Sequence, residues 1–574
     1  MPTLKYDRNA TGTGSGGSWL NAISDPAVLM SAAMSASSGG TVRHEFARGD
    51  NPWPFTINKT IAQGTERMEI VGVDPGNGST RKPRFTFLVD ESPITGFIRI
   101  QAGSALTSAT VDGTGTSNLW WSPNTPNGWS GAFRASATGK IFFGRRTKVK
   151  ASDAQAKGAA PNVPNTDWQY GYPSYGGILI YLSLGNPQSF AQFVRRPTGL
   201  NEKMLLVNRP VGGLEIAGME FTDSDFALLV QNSTSSSLID NVWIHDNDFV
   251  RSRKGCTIIG TGTLADYVNA GFRGLIFERN RGLELGQMLF HATGSPALDL
   301  AQIRNNLCRT NNTNEGSGAF YFDSVYTTDG SRIQCVHNWV DDARYDGKYW
   351  LDGSAFYSEY GSRSVEYAYN LVTNSKIAVH LNIGNGSHWF HHNTCRGITD
   401  VGVETNEAAV RIVSADLGTG VVSLGDGHVY CNIFDRFAMM IGITSFDYTG
   451  TTATRTRFYI HQNIARGRQS LDGNGIYAIQ GNNGCFDNVR MFAYKNNLTD
   501  FQNTTLTGIE YDGADTLSNT TAQTTRLDPS SIMAKIPVPV GAADDLDVNY
   551  AAEAPLDIGT LPAMRAELPA LVAI

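Results

Sequence analysis

A short apolar run that ends in asparagine recurs nine times between residues 242 and 497. The runs are rich in Val, Ile, Phe and Tyr, which favour β-strands. Successive asparagines lie 23 to 39 residues apart, a spread too wide for helical repeats of fixed length. The pattern predicts coils whose strands are constant and whose connecting loops vary. The asparagines are Asn247, Asn280, Asn306, Asn338, Asn370, Asn393, Asn432, Asn463 and Asn497.

The fold that fits this pattern is all-β: a right-handed parallel β-helix, a solenoid in which each coil adds one strand to each of several parallel sheets. Asparagines stacked at one turn of such a fold can hydrogen-bond along the axis, so we assign them to structure and not to chemistry. Cys308 and Cys395 each follow a repeat asparagine by two residues, which predicts a shared inward-facing position. The six cysteines show neither a CxxC pair nor zinc-ligand spacing, and we expect buried free thiols.

The composition favours one β-rich body and argues against several partners. The 574 residues include 61 glycines, only 17% charged residues and no linker-like segment. The net charge of −7 comes without a basic tract, which argues against nucleic acid and anionic membrane as partners. No run approaches the roughly 18 to 20 apolar residues of a membrane span. The start, Met1 to Asp7, has no signal-peptide core, so the protein is not exported by that route or a leader was removed.

The N-terminal segment carries a second set of signals. A glycine-rich stretch at 14–22 precedes Asp25 and Pro26, which suit the cap and first residue of a short Ala-rich helix, and Gly39 to Val42 predicts the first strand. Together with the Asn-ended strands, this order resembles the right-handed β-helix proteins of the pectate-lyase-like superfamily over roughly residues 12–500. That superfamily includes polysaccharide lyases, glycoside hydrolases, epimerases and phage tailspikes, so the resemblance specifies the fold and not the reaction.

We expect three parts in the chain: a cap segment at 1–40, the β-helix at 41–502 and an extended tail at 503–574. An insertion at about 103–175 interrupts the helix, and its Trp, Pro and Gly content predicts a flap whose rings pack together or stack on sugars. The tail is Thr-rich and then Pro-spaced and apolar. It is expected to cap the last coil or to contribute to a subunit contact.

One hexapeptide is nearly repeated within the coils. Gly318 to Asp323 and Ser354 to Glu359 share Ala-Phe-Tyr, and their terminal acids are 36 residues apart. If one coil separates the copies, Asp323 and Glu359 lie on neighbouring strands, about 4.8 Å apart. Glycoside hydrolysis uses two carboxyls about 5–5.5 Å apart for retention, or roughly 6.5–9.5 Å apart for inversion. This pair is the candidate catalytic site; a polar surface ladder with no reaction is the alternative.

Extending the register predicts a polar groove over four coils. The first column contains His291, Asp323, Glu359 and Asn382, and the second contains Leu289, Tyr321, Tyr357 and His380. Residues i and i+2 of a strand share a face, and groups this polar are costly in a dry core, so both columns should face outward. His291 and Asp323 lie equally far before the next repeat asparagine, which supports the register. We expect His291, Tyr321, Tyr357, His380 and Asn382 to bind the substrate.

The loop between the two Ala-Phe-Tyr strands is the second part of the predicted groove. Its segment Asp341 to Asp352 packs four acids, two bases and three aromatic residues into twelve positions. We expect it to form a wall, with Arg344 and Trp350 in contact with the substrate. Asp341, Asp342 and Asp346 would permit a Ca²⁺ site, although a solvated turn with internal salt bridges is the stronger interpretation. No cofactor is otherwise predicted.

The leading functional interpretation is a glycoside hydrolase that degrades a bacterial surface or extracellular polysaccharide. The resemblance implies a phage tailspike depolymerase: a homotrimer in the virion tail or outside the cell, in contact with other tail proteins. The second interpretation is a polysaccharide lyase or uronate epimerase, with Tyr357, His380 or Lys376 as base and Arg344 or a metal neutralising the uronate carboxylate. The third is a non-catalytic glycan-binding adhesin or structural fibre.

Overall fold

The computed structural model describes residues 3–25, 41–49, 52–54, 59–62, 67–86, 96, 98–99, 119–122, 132–135, 140–143, 168–170, 178–181, 191–193, 203–233, 238–260, 270–309, 318–343, 353–359, 362–383, 387–397, 408–415, 426–446, 456–467, 477–481, 489–494, 497–499 and 532–533. The regular elements in these residues are all β-strands. Within the same residues, no helix has the length and apolar character needed to cross a membrane.

Three long sheets, named I, II and III here, form the body, and the strands within each sheet are parallel to their neighbours. Sheet I contains β1 (Thr3–Tyr6), β2 (Thr41–Ala47), β5 (Arg67–Val73), β15 (Leu214–Ala217), β19 (Val242–His245), β23 (Ile276–Glu278), β27 (Gln302–Arg304), β30 (Ile333–Val336), β33 (Val365–Ala368), β36 (His388–His391), β39 (Asp426–Tyr430), β42 (Thr456–His461) and β45 (Val489–Tyr494).

Sheets II and III run alongside sheet I, and most coils contribute one strand to each of the three sheets. Sheet II contains β3 (Trp53–Pro54), β6 (Arg84–Thr86), β16 (Glu220–Thr222), β20 (Asp248–Val250), β24 (Arg281–Leu283), β28 (Leu307–Arg309), β31 (Trp339–Asp341), β34 (Leu371–Thr373), β37 (Thr394–Arg396), β40 (Ile433–Phe437), β43 (Ile464–Gly467), β46 (Asn497–Thr499) and β47 (Ile532–Met533). Sheet III contains β4 (Lys59–Ala62), β14 (Lys203–Asn208), β17 (Phe226–Gln231), β21 (Lys254–Ile259), β25 (Met288–Thr293), β29 (Gly318–Asp323), β32 (Ser354–Glu359), β35 (Ile377–Ile383), β38 (Ala408–Ala415), β41 (Met439–Phe446) and β44 (Tyr477–Gly481).

Each coil passes from sheet I to sheet II to sheet III and then returns to sheet I one strand further along the axis. The coil that begins at β23 continues through β24 and β25 before β27 pairs with β23. Parallel crossovers in proteins are right-handed in nearly all cases. The chain is therefore a right-handed parallel β-helix, as the Asn repeat predicts. The coils differ in the loops before and after sheet III, which explains the uneven repeat length.

The turn from sheet I to sheet II is the same in eight successive coils. A non-glycine residue with a φ between 52° and 57° precedes each repeat asparagine from Asn247 to Asn463. The asparagine is buried, and its amide bridges coils: Asn306 Nδ2 donates to Phe277 O at 3.0 Å and to Asn338 Oδ1 at 2.9 Å. Asn338 Oδ1 also accepts the Asn306 backbone N–H at 3.1 Å. This confirms the predicted structural role of the asparagine ladder.

Apolar columns fill the inside of the helix. One runs along sheet I through Ile303, Cys335, Tyr367 and Phe390, which pair strand to strand and are fully buried. Among the described cysteines, four are buried free thiols and Cys431 is half-buried. Cys308 and Cys395 lie in one column of sheet II, joined by Val340 and Val372, as predicted. Cys485 lies outside the described residues.

Smaller sheets accompany the body. A parallel one contains β18 (Leu238–Asp240), β22 (Gly271–Arg273) and β26 (Ala297–Asp299). Two antiparallel ones lie in the region of the predicted flap: β7 (Ile98–Arg99), β8 (Leu119–Ser122), β11 (Trp168–Tyr170) and β12 (Ile178–Tyr181) form one, and β9 (Ala132–Ala135), β10 (Lys140–Phe143) and β13 (Ala191–Phe193) form the other.

The two ends of the chain each contribute a strand to the body. From the predicted cap segment, β1 pairs with β2 at the start of sheet I. From the predicted tail, β47 pairs with β46 at the end of sheet II. The predicted Ala-rich helix of the cap segment, which would begin at Pro26, and the remainder of the tail lie outside the described residues.

Candidate active site

The two Ala-Phe-Tyr strands are neighbours. In β29 and β32, Tyr321 pairs with Tyr357 and Asp323 pairs with Glu359 as Cα partners. Both acids are the last residues of their strands, and both are partly exposed. Since neighbouring strands are about 4.8 Å apart, the two carboxyls project side by side from the outer face of sheet III. The predicted adjacency of Asp323 and Glu359 is therefore confirmed.

Short polar contacts hold Asp323. Its Oδ2 accepts a hydrogen bond from Thr293 Oγ1 at 2.7 Å, and its Oδ1 accepts one from Ser324 Oγ at 2.9 Å. Thr293 is the last residue of β25, one coil before Asp323. The carboxylate of Asp323 is thus fixed by a neighbour along the helix axis and by a neighbour along the chain.

Glu359 is held through both its side chain and its backbone. Tyr357 OH donates to Glu359 Oε1 at 3.3 Å. The Glu359 carbonyl accepts from the backbone N–H of Ser324 at 3.1 Å and from Ser362 Oγ at 2.7 Å. These bonds fix the point at which β32 ends, and so fix the position from which the carboxyl projects.

The predicted position of His291 is wrong by two residues. In the structure, His291 pairs with Tyr321 and not with Asp323, so the residue one coil before Asp323 is Thr293. The physical reason is the loop after sheet III, which is two residues shorter after β25 than the assumed register requires. A shift of two residues keeps a side chain on the same face of a strand. His291 consequently still faces outward, in the column of the tyrosines.

That column is a continuous stack of rings. The centroids of His291 and Tyr321 are 5.0 Å apart, those of Tyr321 and Tyr357 are 4.8 Å apart, and those of Tyr357 and His380 are 4.1 Å apart. Sequence reasoning placed Tyr321, Tyr357 and His380 together, and the strand pairing brings them together. Three of the four side chains, His291, Tyr357 and His380, are buried although they face away from the helix core.

Burial strongly affects the electrostatics of His291. Burial and the charge of Lys254, whose Nζ lies 3.4 Å from His291 Nδ1, hold the pKa of the imidazole well below its ordinary value. His291 is therefore neutral at neutral pH. Its Nε2 has no hydrogen-bond partner within the described part of the chain. A buried polar atom without a partner is costly, which is typical of positions that meet a ligand or an ordered water.

Sequence reasoning missed Arg411, which continues the ring column. Arg411 in β38 pairs with His380, and only 4% of it is exposed. The next position is Gly442, and a Cβ there would lie 3.4 Å from Arg411 Nη1. The signal was present in the sequence, because Ala409-Val410-Arg411 repeats the alanine, apolar, polar order of Ala378-Val379-His380. Lys376, the third candidate base, is also buried, directly before β35.

Of the three remaining predicted site residues, Asn382 extends the carboxylate column and two lie outside the described residues. Asn382 lies in β35, where it pairs with Val413 of the next strand. Because Ser358 pairs with Leu381, the same register places Asn382 opposite Glu359, in the carboxylate column. Arg344 and Trp350 lie outside the described residues.

Two of the three residues of the predicted Ca²⁺ site, Asp341 and Asp342, lie in the described part of the chain. The Asp341 carboxylate accepts hydrogen bonds from Arg309 Nε at 2.9 Å and from Thr373 Oγ1 at 2.8 Å, so its oxygens are engaged within sheet II. Asp342, the next residue, adopts a left-handed backbone conformation with a φ of 63°. Asp346 lies outside the described residues. In the part of the chain that the structure describes, no group of three or more His, Cys, Asp or Glu side chains is arranged to hold a metal ion.

Comparison with known proteins identifies no sequence family. No protein family model matches the chain, and no curated protein matches it significantly. Matches among solved structures include the complex of XylC with xylose, at 12% sequence identity and a TM-score of 0.31, over 87% of this chain and 84% of that chain. They also include the Pseudomonas phage phi297 tailspike gp61, at 10% identity and a TM-score of 0.20, over 81% of this chain and 69% of that chain. The likeness concerns the fold alone.

Proposed function

We propose that the protein hydrolyses a polysaccharide, with Asp323 and Glu359 as its two catalytic carboxyls. The observation that carries the proposal is their strand pairing, which puts both acids in one outward column at the ends of β29 and β32. Two carboxyls on neighbouring strands can divide the acid and nucleophile roles of glycoside hydrolysis between them. The coil spacing of about 4.8 Å is nearer to the separation of retaining enzymes than to that of inverting enzymes.

The hydrogen bonds of the two carboxyls favour one assignment of the nucleophile and the general acid. Asp323 already accepts hydrogen bonds on both oxygens, so it serves as the nucleophilic carboxylate, and Glu359 serves as the acid. Glu359 protonates the glycosidic oxygen while Asp323 attacks the anomeric carbon, which breaks the glycosidic bond and forms a glycosyl ester. Glu359 then takes a proton from water, and the water oxygen attacks the same carbon and releases Asp323. Each turnover adds one water molecule across one bond.

A lyase is the second candidate, favoured by the column of Tyr357, His380 and Arg411. In this reaction His380 or Tyr357 removes the proton beside a uronate carboxylate, and Arg411 offsets the charge that develops on that group. The bond to the leaving oxygen then breaks, a carbon–carbon double bond forms, and the leaving oxygen takes up a proton. No water is added.

The products distinguish the two reactions. Wild-type protein is incubated with candidate bacterial surface polysaccharides in ¹⁸O-water, and the fragments are analysed by mass spectrometry and ultraviolet absorbance. Hydrolysis by Asp323 and Glu359 predicts one ¹⁸O atom per new reducing end and no new ultraviolet absorbance. An unsaturated, absorbing product without ¹⁸O would replace the hydrolase by the lyase. Glycan binding without any cleavage would favour the adhesin.

The assembly and location of the protein are proposals that depend on the sequence resemblance. We infer a phage tailspike that forms a homotrimer, lies in the virion tail or outside the cell, and contacts other tail proteins. Light scattering on the purified full chain tests the first part of this proposal. A mass three times that of the 62.2 kDa chain supports it, and a monomer at micromolar concentration contradicts it.

A further inference from the structure

The outer face of sheet I changes character along the helix axis. In the first coils it carries ion pairs between neighbouring strands, such as Arg67 with Glu215 at 2.7 Å and Arg304 with Glu278 at 2.8 Å. From β36 to β42 the equivalent positions are rings. We call these six residues the aromatic ladder: Trp389, His428 and Tyr459 in one column, and His391, Tyr430 and His461 in the next.

The rings of the aromatic ladder stack along the axis. Trp389 and His428 have centroids 6.0 Å apart at 3°, and His428 and Tyr459 have centroids 5.2 Å apart at 14°. In the second column, His391 and Tyr430 are 4.7 Å apart at 10°, and Tyr430 and His461 are 5.2 Å apart at 8°. The ring faces therefore cover one another. Five of the six residues are partly exposed at their edges, and His391 is buried.

Two residues of the ladder, Trp389 and Tyr430, carry a polar atom that is open to a ligand. Within the described part of the chain, neither Trp389 Nε1 nor Tyr430 OH makes a hydrogen bond. Both residues are partly exposed. Tyr and Trp combine an apolar body with a polar tip, which suits contact with molecules that present both C–H and O–H groups. Sugars are molecules of this kind.

The charges beside the aromatic ladder cancel. The Arg332 guanidinium lies 3.9 Å from the centroid of the Trp389 ring, and its Nη1 donates to Glu366 Oε1 at 2.6 Å. His391 Nε2 lies 3.1 Å from the same Glu366 oxygen. Among the described residues at this end of the ladder, the charges of Arg332 and Glu366 compensate each other, which suits an uncharged ligand.

We propose that the aromatic ladder is a second glycan-binding surface, which holds an extended, uncharged polysaccharide along the helix axis. Rungs repeat at the strand spacing of about 4.8 Å, which is close to the length of one pyranose unit in an extended chain. Successive sugars therefore meet successive coils, and the N–H of Trp389 and the O–H of Tyr430 lie on neighbouring coils. The surface lies on sheet I and the carboxyl pair lies on sheet III, so the proposal does not depend on hydrolysis by Asp323 and Glu359.

Affinity electrophoresis of the full chain tests the proposal, with Asp323→Asn used to prevent cleavage of the probes. The neutral probes are soluble xylan, glucomannan and hydroxyethylcellulose, and alginate is the charged probe. We expect retardation by at least one neutral probe, and a loss of affinity of at least tenfold in Trp389→Ala/Tyr430→Ala. Tyr430→Phe keeps the ring and loses only the hydroxyl, so its loss should be two- to fivefold.

The matched control is Trp243→Ala. Trp243 lies on the same face of sheet I and also stacks on a histidine, but its Nε1 donates to Glu278, so it should not contribute to glycan binding. Three results would overturn the proposal: no retardation by any neutral probe, retardation by alginate alone, or an equal loss in the control. A change of oligomeric mass in the ladder variant would also overturn it, since the ladder would then be a contact between subunits. Full activity of Asp323→Asn would contradict the hydrolase, and the ladder would then be tested with those neutral probes that the protein does not cleave.

Discussion

At the scale of single residues, the asparagine turn explains why the coils stack. The repeat asparagines from Asn247 to Asn432 each close hydrogen bonds to two neighbouring coils, and the residue before each of them adopts a left-handed conformation. The sequence reveals this turn because the same residue recurs in it: the asparagine amide can both donate and accept hydrogen bonds between coils. The left-handed position was not visible, since residues as different as Arg279, His337 and Tyr369 occupy it. At this position the left-handed backbone is fixed by the buried amide of the asparagine that follows, and not by the conformational preference of the residue itself.

The ladder predicts a large stability loss for Asn338→Ala. The substitution removes the acceptor of the Asn306 backbone N–H and the donor to Ile303 O, both buried. Unsatisfied buried groups cost about 1–3 kcal/mol each, so we expect a loss of about 2–4 kcal/mol in the free energy of unfolding. Thermal and denaturant unfolding measure it. Asn77→Ala, in an exposed turn, is the control and should change stability by less than about 0.5 kcal/mol; equal losses would contradict the account.

At the scale of strands, register decides which side chains meet. The Ala-Phe-Tyr match correctly paired Asp323 with Glu359, because two identical triplets leave one plausible alignment. The preceding strand has Leu289-Phe290-His291 in place of that triplet, so its predicted register depends on equal spacing to the next asparagine. The loop after β25 is two residues shorter than the loop after β29, so equal spacing predicts a register that is wrong by two residues. The inward and outward alternation of a strand could not reveal the error, since it has a period of two.

Close packing of β29 on β32 predicts that Gly318→Ala disturbs the site. A Cβ at Gly318 would lie 2.9 Å from the Cβ of Tyr357, the residue that bonds Glu359. Tyr357 is held between two rings and cannot move freely. We expect a stability loss of about 1–3 kcal/mol, with slower glycan cleavage.

The control for this substitution is Gly49→Ala, because a Cβ at Gly49 would meet no atom within 4 Å. Unfolding and cleavage assays on both variants provide the comparison. Unchanged stability and activity in Gly318→Ala would show that the two strands are not packed as described.

At the scale of the whole molecule, the β-helix contains titratable groups whose pKa values are lowered by the fold. Burial lowers the pKa of His44 and of His388 to about 4. A hydrogen bond from His391, aided by Arg332, lowers the pKa of the Glu366 carboxyl to about 2. The fold and its long sheets were predictable from the repeat. These buried histidines were not, because a histidine in a strand pattern can face either way.

The buried histidines predict a loss of stability in mild acid. An unfolded chain protonates His388 below its ordinary pKa of 6.5, whereas the folded chain resists protonation until about pH 4. Stability is therefore full above about pH 6.5 and falls as the pH drops towards 4. Between pH 6.5 and 4.5 the unfolding free energy of His388→Leu should therefore fall by about 2–3 kcal/mol less than that of the wild type.

Denaturant unfolding of wild type and His388→Leu across this range tests the prediction. The difference in unfolding free energy between the two should be constant above pH 7.5, which serves as the internal control. Parallel pH profiles down to pH 4.5 would mean that His388 is not buried in the neutral form.

The most direct test of the account is the rate at which Asp323→Asn and Glu359→Gln release reducing ends from a glycan that the wild type cleaves. Loss of a catalytic acid or base typically costs a factor of about 10²–10⁴. We predict a decrease of at least about a hundredfold in each variant, with unchanged unfolding temperature. Undiminished cleavage by both variants would contradict the assignment of the active site to the ends of β29 and β32.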